Sequence, residues 1–349
     1  MLYSLDEVGL IPAVKSEIRH RGEVIPFVQS PFGGSKLPVF VAPMTCVLNA
    51  NNICEFSQSR FEPILPVIDA DIELRTQLPN GSNWLGWTAM TLAEFKNTFN
   101  ACKADENRKY YILIDVANGH MAELFQVVKD AKQEYGNNLI VMIGNIANPN
   151  TYIECCKAEV DYVRIGIGGG AGCTTSVQTG IHASIPYLLE GIKLAKLKLY
   201  SESIVEYKTK VIADGGINTI AKAIKCLALG ADYVMMGKCF AECEEANSSV
   251  IQYFNTNDSE GKPTVEKRHL YYGQSSKEGQ LDRFGKVKSN PEGIAKWIPV
   301  TTNLSEFADK FEAALRSAMS YCGAKTLSDF VGKVKYEYMT PSEFSAFIK

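Results

Sequence analysis

The sequence lacks the features that would place the protein in a membrane or on a nucleic acid. No window reaches about 18 uninterrupted apolar residues, and the amino terminus has no charged-then-apolar signal layout. The formal net charge of -3 and the pI near 5.9 provide no bulk attraction for nucleic acid or an anionic membrane. We therefore predict a cytoplasmic protein that binds neither nucleic acid nor membrane.

Metal-ligating and disulfide patterns are also missing. The ten cysteines are scattered through the chain, and no two of them form a CxxC pair. The four histidines show no metal-ligand spacing with a carboxylate. We therefore predict reduced, mostly buried cysteines and no metal catalysis.

Eight short β-rich runs recur along the chain, and helix-like segments separate most of them. Continuous apolar runs predict strands that are buried on both faces, as parallel strands covered by helices are. Eight β-then-α units fit a (β/α)8 barrel, which takes about 250 residues. We predict a single α/β domain over residues 1–349, built as a (β/α)8 TIM barrel. The predicted strands are 37–43, 62–68, 83–90, 110–117, 139–146, 161–168, 210–216 and 232–238.

A polar, glycine-rich stretch follows the eighth predicted strand. Its turn residues and alternating segments predict a hairpin followed by a mobile loop. We therefore predict a flap insertion at about residues 244–300, after which residues 304–323 form the last helix.

Three loops at the predicted carboxyl ends of strands contain residues suited to chemistry, because a (β/α)8 barrel builds its active site at that end. After the sixth strand, GIGGGAGC brings backbone groups close to a ligand and presents Cys173. A lone cysteine is more often inert than catalytic, so its neighbours decide the interpretation. Asp214 in ADGG is suited to accept from ribose hydroxyls, and Gly237 and Lys238 follow strand eight, where barrels commonly bind phosphate. The thiol and the phosphate site would thus lie in the same cavity at the carboxyl end of the barrel.

Five segments in order carry a resemblance to a known family. GIGGGAGCTT, VIADGGI, ADYVMMGK, YYGQSSKE and SYCGAKTLSDF resemble the cysteine loop, ribose loop, phosphate loop, base-contacting hairpin and carboxyl-terminal helix of the IMP dehydrogenase and GMP reductase family. The resemblance begins at LDEVGLIPAVK and covers nearly the whole chain. It implies a purine nucleotide (GMP or IMP) as substrate, a nicotinamide cofactor and a homotetramer of (β/α)8 barrels.

The resemblance implies chemistry at purine C2. Cys173 takes the place of the cysteine that attacks C2 to form a covalent adduct. A dehydrogenase then passes hydride to NAD⁺ and hydrolyses the thioimidate, whereas a reductase expels the 2-amino group of GMP as ammonia and uses NADPH. For ammonia loss the family pairs a threonine with a flap glutamate, which here are Thr175 and Glu292. Cys239 is expected to be structural.

Three features favour the reductase. The regulatory insert that dehydrogenases usually carry after strand two is absent, IDVANGH resembles the reductase form of the strand-four loop, and the flap is short. The segment LDRFG resembles the arginine–tyrosine element of the dehydrogenase flap, but Phe284 stands in place of the tyrosine. We therefore interpret Arg283 as a solvated loop arginine.

Four departures from the family pattern keep other functions open. Ala171 and Lys238 replace phosphate-binding serines, Ser176 replaces an arginine, and Thr45 replaces an aspartate. A lysine contact to phosphate is charge-assisted and would compensate for the lost hydroxyls. Three alternatives therefore remain. The protein could be an IMP dehydrogenase, it could be a family member that acts on another purine nucleotide, or it could be a paralogue that binds nucleotide without catalysis.

The resemblance also implies the remaining contacts, position by position. Substrate contacts are expected from Met44, Asn145, Gly170, Asp214, Gly216, Gly237, Lys238, Tyr272, Gly273, Gln274 and Ser275. Cofactor contacts are expected from Asp115, Ala117, Asn118, Gly166, Ser320 and Gly323. The carbonyls of Gly166, Gly168 and Cys173 occupy the positions that hold potassium in dehydrogenases, and an empty, rigid loop is an equally good interpretation.

Overall fold

A parallel sheet of eight strands forms the centre of the fold. The structure is a computed structural model that describes residues 3–68, 73, 76–100, 105, 108–170, 174–201, 209–247, 251–257, 261–287, 290–291, 293–340 and 343. The strands are β1 Val8–Leu10, β2 Val28–Gln29, β3 Ser35–Lys36, β4 Val39–Val41, β5 Glu62–Pro63, β6 Thr88–Met90, β7 Tyr110–Asp115, β8 Leu139–Ile146, β9 Tyr162–Ile165, β10 Lys210–Asp214, β11 Tyr233–Met236, β12 Ile251–Asn257, β13 Pro263–Tyr272, β14 Ala295–Pro299 and β15 Tyr336–Tyr338.

Helices follow most of the central strands. The α-helices are α1 Ile53–Gln58, α2 Leu92–Phe95, α3 Ala122–Tyr135, α4 Thr151–Lys157, α5 Thr175–Thr179, α6 Ile185–Ser201, α7 Ile220–Leu229, α8 Lys238–Ala241, α9 Lys277–Phe284, α10 Leu304–Tyr321 and α11 Leu327–Phe330. Short 3-10 helices cover Arg21–Glu23 and Gly136–Asn138, and a π-helical turn covers Lys96–Asn100. Within the described ranges, no helix is both long and apolar enough to cross a bilayer.

The central sheet curls until its two edges meet. Its strand order is β5-β4-β11-β10-β9-β8-β7-β6, and all of the neighbouring pairs are parallel. A parallel bridge between Leu65 and Thr88 links the segment after β5 to β6, and the Leu65 amide donates to the Trp87 carbonyl at 2.9 Å. The predicted α/β class with eight parallel strands is therefore confirmed, and the curled sheet is consistent with a (β/α)8 barrel.

Side chains of the central strands are buried on both faces of the sheet. Along β4, Val39 and Val41 pack against the outer helices, while Phe40 between them points into the centre of the curled sheet. Leu113 of β7 and Met142 of β8 lie in the same inner cluster as Phe40. This two-sided burial explains why the strands appear in the sequence as continuous apolar runs rather than as alternating ones.

The third predicted strand is shorter than its apolar run. The run covers residues 83–90, whereas β6 begins only at Thr88. Asn83 instead forms an antiparallel bridge with Gln77, and the Trp84 indole nitrogen donates to the Trp87 carbonyl at 3.0 Å. The strand prediction is wrong for residues 83–87, because this segment forms these local contacts and joins the sheet only at Thr88.

A second, antiparallel sheet lies between β11 and α10. Strand β12 pairs with β13 as a hairpin, and β14 adds a third strand on the other side of β13. The mobile loop that the sequence predicted here contains helix α9 instead. Ser276 caps this helix, since its Oγ accepts from the Gly279 amide at 3.0 Å, and Gly285 ends it with a φ of 66°. The action of this segment as a flap stays a prediction.

Candidate active site

A cavity of about 420 Å³ opens at the carboxyl ends of the parallel strands. This volume is typical of small-molecule sites. The loops after β4, β7, β8, β9, β10 and β11 line it, together with the turn after β13. Of the residues predicted to contact substrate, cofactor or cation, the cavity brings together Met44, Asp115, Ala117, Asn145, Gly166, Gly168, Gly170, Thr175, Asp214, Gly216, Gly237, Lys238, Gly273, Gln274 and Ser275.

Three predicted residues lie outside the described part of the chain. They are Ala171, Cys173 and Glu292, which the sequence assigned to the cysteine loop and the flap. The third predicted catalytic residue, Thr175, is the first residue of α5 and lines the cavity. The hydroxyl of its neighbour Thr174 is buried and has no hydrogen-bond partner among the described residues.

Four other predicted residues are not part of the cavity wall. The Asn118 side-chain oxygen accepts from the His120 amide at 3.1 Å, so this oxygen stabilises the turn that contains both residues. At the end of α10, the Ser320 carbonyl accepts from the Ser16 hydroxyl at 3.0 Å, and Gly323 lies against the same amino-terminal segment. Tyr272 is buried, and its hydroxyl donates to Asp282 at 2.9 Å. The ligand contacts expected of these four residues stay predictions.

The register of β13 brings Tyr271 to the cavity in place of Tyr272. Successive residues of a strand face opposite sides, so only one of two adjacent tyrosines can face the site. Tyr271 lines the cavity, and its hydroxyl lies 3.6 Å from the point where a Cβ on Gly237 would stand. The sequence pattern YYG contains no signal that distinguishes the two residues.

An arginine that the sequence analysis missed holds the two predicted ribose-binding aspartates. Arg164 of β9 is almost fully buried, and its Nη1 lies 2.8 Å from Asp115 Oδ1. Its Nη2 and Nε donate to Asp214 Oδ2 at 2.9 and 3.2 Å. Burial disfavours the charged guanidinium, but the attraction of Asp214 and Asp115 outweighs that cost and raises the pKa of Arg164. One buried cation thus compensates two carboxylates.

Each aspartate keeps an oxygen for a ligand. Asp214 Oδ2 also accepts from the Asn145 side-chain nitrogen at 2.9 Å, so its protein contacts all fall on one oxygen. Asp115 uses Oδ1 for Arg164. In the described chain, Asp214 Oδ1 and Asp115 Oδ2 have no hydrogen-bond partner. A carboxylate oriented in this way accepts well from ribose hydroxyls.

The glycines of the cysteine loop allow it to pack against the loop after β10. Gly166 has a φ of 119°, and a Cβ there would lie 2.1 Å from the Asp214 carbonyl oxygen. Gly216 has a φ of 75°, and a Cβ there would lie 2.8 Å from the Gly169 carbonyl oxygen. A larger residue at either position would separate the two loops. The glycines therefore hold the predicted thiol loop beside Asp214.

Two of the three carbonyls predicted to hold potassium accept hydrogen bonds, and the third, that of Cys173, lies outside the described residues. The Gly166 carbonyl accepts from the Asn145 side chain at 2.8 Å, and the Gly168 carbonyl accepts from the Ser176 hydroxyl at 3.3 Å. In the described ranges, no three His, Cys, Asp or Glu side chains cluster as a metal site. Both carbonyls thus take part in the packing of the loop itself, and the cation stays a prediction.

Lys238 lines the cavity with its charge already paired. Its Nζ lies 2.9 Å from Glu242 Oε1, one helical turn further along α8 and its cap. Both side chains remain partly exposed. The predicted phosphate subsite therefore holds an ion pair rather than an isolated cation.

Arg283 lies in the cavity wall, so its interpretation as a solvated loop residue is wrong. It belongs to α9, and its Nε donates to the Val67 carbonyl at 3.1 Å. Burial lowers the pKa of Arg283, and the attraction of Asp115 and Glu94 opposes that shift. Hydrophobic periodicity does not reveal α9, because the residues around its cap at Ser276 are mostly polar.

Two cysteines near the cavity are poor nucleophiles. Burial raises the pKa of Cys46 to about 12 and the pKa of Cys239 to about 12. Only the thiolate attacks carbon, so neither residue is reactive at neutral pH. This agrees with the expectation that Cys239 is structural.

Comparison with known proteins decides the family. Residues 94–345 match the sequence model described as IMP dehydrogenase / GMP reductase domain. The chain belongs to this family. An inosine-5'-monophosphate dehydrogenase of Chlorobaculum tepidum is 33% identical over 237 residues, which cover 66% of this chain and 45% of that protein. This IMP dehydrogenase / GMP reductase family member thus spans less than half the length of that relative.

Two GMP reductases match at full length. That of Clostridium acetobutylicum is 28% identical over 348 residues, which cover 99% of this chain and 98% of that protein. That of Shouchella clausii is 27% identical over 355 residues, which cover 99% of this chain and 97% of that protein. Within the IMP dehydrogenase / GMP reductase family, the chain therefore has the length of these reductases.

Proposed function

We propose that the protein is a GMP reductase that converts GMP to IMP and ammonia with NADPH. The observation that carries this proposal is the pair of aspartates held by Arg164 in one cavity, each with an oxygen left for a ribose. Two such carboxylates in one cavity fit a purine nucleotide bound beside the nicotinamide riboside of a dinucleotide cofactor. The full-length similarity to two GMP reductases supports the reductase over other members of the family.

The purine nucleotide would lie between the loops after β10, β11 and β4. Asp214 accepts from its ribose hydroxyls, and Lys238 donates to its phosphate. The base would contact Met44 and the turn after β13, which are joined because the Gln274 side-chain nitrogen donates to the Pro43 carbonyl at 3.0 Å. In this pose, purine C2 would face the loop after β9, to which Cys173 belongs.

In the proposed reaction, the C2–S and C2–N bonds of the purine form and break in turn. The Cys173 thiolate forms a C2–S bond, and the C2–N bond breaks when the amino group accepts a proton and leaves as ammonia. Thr175 and Glu292 supply that proton. Asp115 would hold the ribose of a bound nicotinamide cofactor, whose chemistry there would be to supply a hydride to C2. The C2–S bond then breaks, which gives IMP and returns the thiolate.

The direct test is an assay of cofactor oxidation by the purified protein. With GMP and NADPH we expect loss of reduced cofactor matched by equal amounts of IMP and ammonia. NADH in place of NADPH tests the cofactor preference. Formation of NADH from IMP and NAD⁺, with no turnover of GMP, would show that the assignment is wrong.

Arg283 makes IMP dehydrogenase the second candidate. Dehydrogenases of this family use a flap arginine to activate water, and Arg283 lines the cavity instead of facing solvent. The same assay separates the two reactions, because a dehydrogenase gives XMP from IMP and releases no ammonia.

We also propose that the protein is a cytoplasmic homotetramer, as its family resemblance implies. Helix α6 supports self-association, since it exposes Tyr187, Leu194 and Leu197. An exposed apolar face of this kind favours covering by a second copy. Light scattering should give four times the chain mass, and Leu194→Glu should lower that mass if α6 forms the contact.

A further inference from the structure

Arg283 is a cationic group of the cavity that the proposed reductase reaction leaves without a role. Its Nε is held by a backbone carbonyl, that of Val67, rather than by a carboxylate. Among the described residues, no ion pair to Arg283 is formed. Arg164 and Lys238, the other cations of the cavity, both have carboxylate partners within 3 Å.

The surroundings of Arg283 favour an anionic ligand. Burial lowers its pKa, and the opposing attraction comes from Asp115 and Glu94, neither of which forms an ion pair with it. A cation that loses water contacts without gaining an ion pair costs free energy, and a bound anion recovers that cost. A guanidinium suits phosphate in particular, because its parallel N–H groups match two phosphate oxygens.

The position of Arg283 separates it from the purine nucleotide. Val67 follows β5, which one strand separates from β7 and one strand separates from β11, so this contact alone does not decide the side. The carboxylates that attract Arg283 decide it, since Asp115 ends β7 and Glu94 lies in α2, just after β6. Asp214 and Lys238, which we assign to the substrate, follow β10 and β11 on another part of the curled sheet. Arg283 therefore lies on the Asp115 side of the cavity, where the proposed function puts the cofactor.

We infer that Arg283 binds a phosphate group of the nicotinamide dinucleotide. This inference rests on the proposed function, because it takes the Asp115 side as the cofactor side. Two phosphate sources exist on such a cofactor, the diphosphate bridge and, in NADPH, the 2′-phosphate.

The test is the affinity of the full-length protein for reduced cofactors, measured by fluorescence titration without GMP and by steady-state kinetics with GMP. Arg283→Ala should weaken NADPH binding about tenfold or more, the loss expected for a charge-assisted hydrogen bond. Arg283→Lys should keep part of that affinity. Lys286→Ala, at an exposed position just after α9, should bind like the wild type. The KM for GMP should stay the same in all three variants.

The comparison of NADPH with NADH identifies the phosphate. Equal losses for both cofactors indicate the diphosphate bridge, whereas a loss for NADPH alone indicates the 2′-phosphate. An unchanged cofactor affinity in Arg283→Ala overturns the inference. So does a fall in kcat with unchanged cofactor affinity, which would assign Arg283 to the chemistry.

Failure of the proposed reaction remains distinguishable from failure of this inference. If the wild type binds NADPH but does not reduce GMP, the proposed reaction is wrong. The titration of Arg283→Ala with NADPH still tests whether Arg283 binds a cofactor phosphate. If the wild type binds neither NADPH nor NADH, the inference itself is overturned. Arg283→Lys keeps the charge and the long side chain, so it answers the question even where the alanine variant folds poorly.

Discussion

Replacing Arg164 by methionine should destabilise the fold and impair nucleotide binding together. The change leaves Asp115 and Asp214 in one cavity without their shared cation. Removing one partner of a buried ion pair costs about 3–5 kcal/mol of unfolding free energy. The aspartates retain 22% and 15% exposure, so water screens part of the loss. We therefore expect a loss of about 3 kcal/mol, at the lower end of that range. Urea unfolding of the wild type and of Arg164→Met measures this loss of unfolding free energy.

A second buried ion pair provides the matched control. Lys132, only 8% exposed, lies 2.8 Å from Asp161 and does not line the cavity. Lys132→Met should lose comparable stability but keep wild-type affinity for nucleotides, whereas Arg164→Met should bind GMP and NADPH more weakly. Wild-type stability in Arg164→Met, or equal nucleotide affinities in the two variants, would refute this reasoning.

The remaining predictions concern the phosphate subsite and the thiol. Lys238→Ala should raise the KM for GMP about ten- to a hundredfold with a smaller effect on kcat, because a phosphate contact exists in ground and transition states alike. Glu242→Gln, which removes the competing anion, should lower that KM, and an unchanged KM in both variants would mean that Lys238 does not bind phosphate. Cys173→Ala should abolish turnover yet retain GMP binding in a calorimetric titration. Mass spectrometry should find the adduct of 6-chloropurine ribotide on Cys173; an adduct on Cys239 would contradict the covalent mechanism.

The fold was predictable where burial dominates the sequence pattern. Strands such as β7 and β8 are buried on both faces, so their apolar runs identify them without ambiguity. Prediction failed at residues 83–87 and at α9. In both places a local hydrogen bond, from the Trp84 indole or to the Ser276 hydroxyl, decides the conformation, and hydrophobic periodicity does not report on such bonds.

The position of the cavity was predictable, but the pairing of its charged side chains was not. Glycine-rich loops after strands indicate where the cavity lies, because barrel topology brings strand ends together. The partners of Arg164 lie 49 and 50 residues away along the chain, so the sequence gives no direct sign of the pairing. A charged residue inside the apolar run DYVRIGIG was the available signal, since a buried strand holds an arginine only where carboxylates meet it.

Under the proposed function, Arg164 would also make the two ribose subsites thermodynamically dependent on each other. A nucleotide that donates hydrogen bonds to Asp214 would weaken the attraction between Asp214 and Arg164. The guanidinium would then interact more strongly with Asp115. Binding in one half of the cavity therefore changes the affinity of the other half through a single residue. By linkage, the factor by which GMP alters the affinity for the cofactor equals the factor by which the cofactor alters the affinity for GMP.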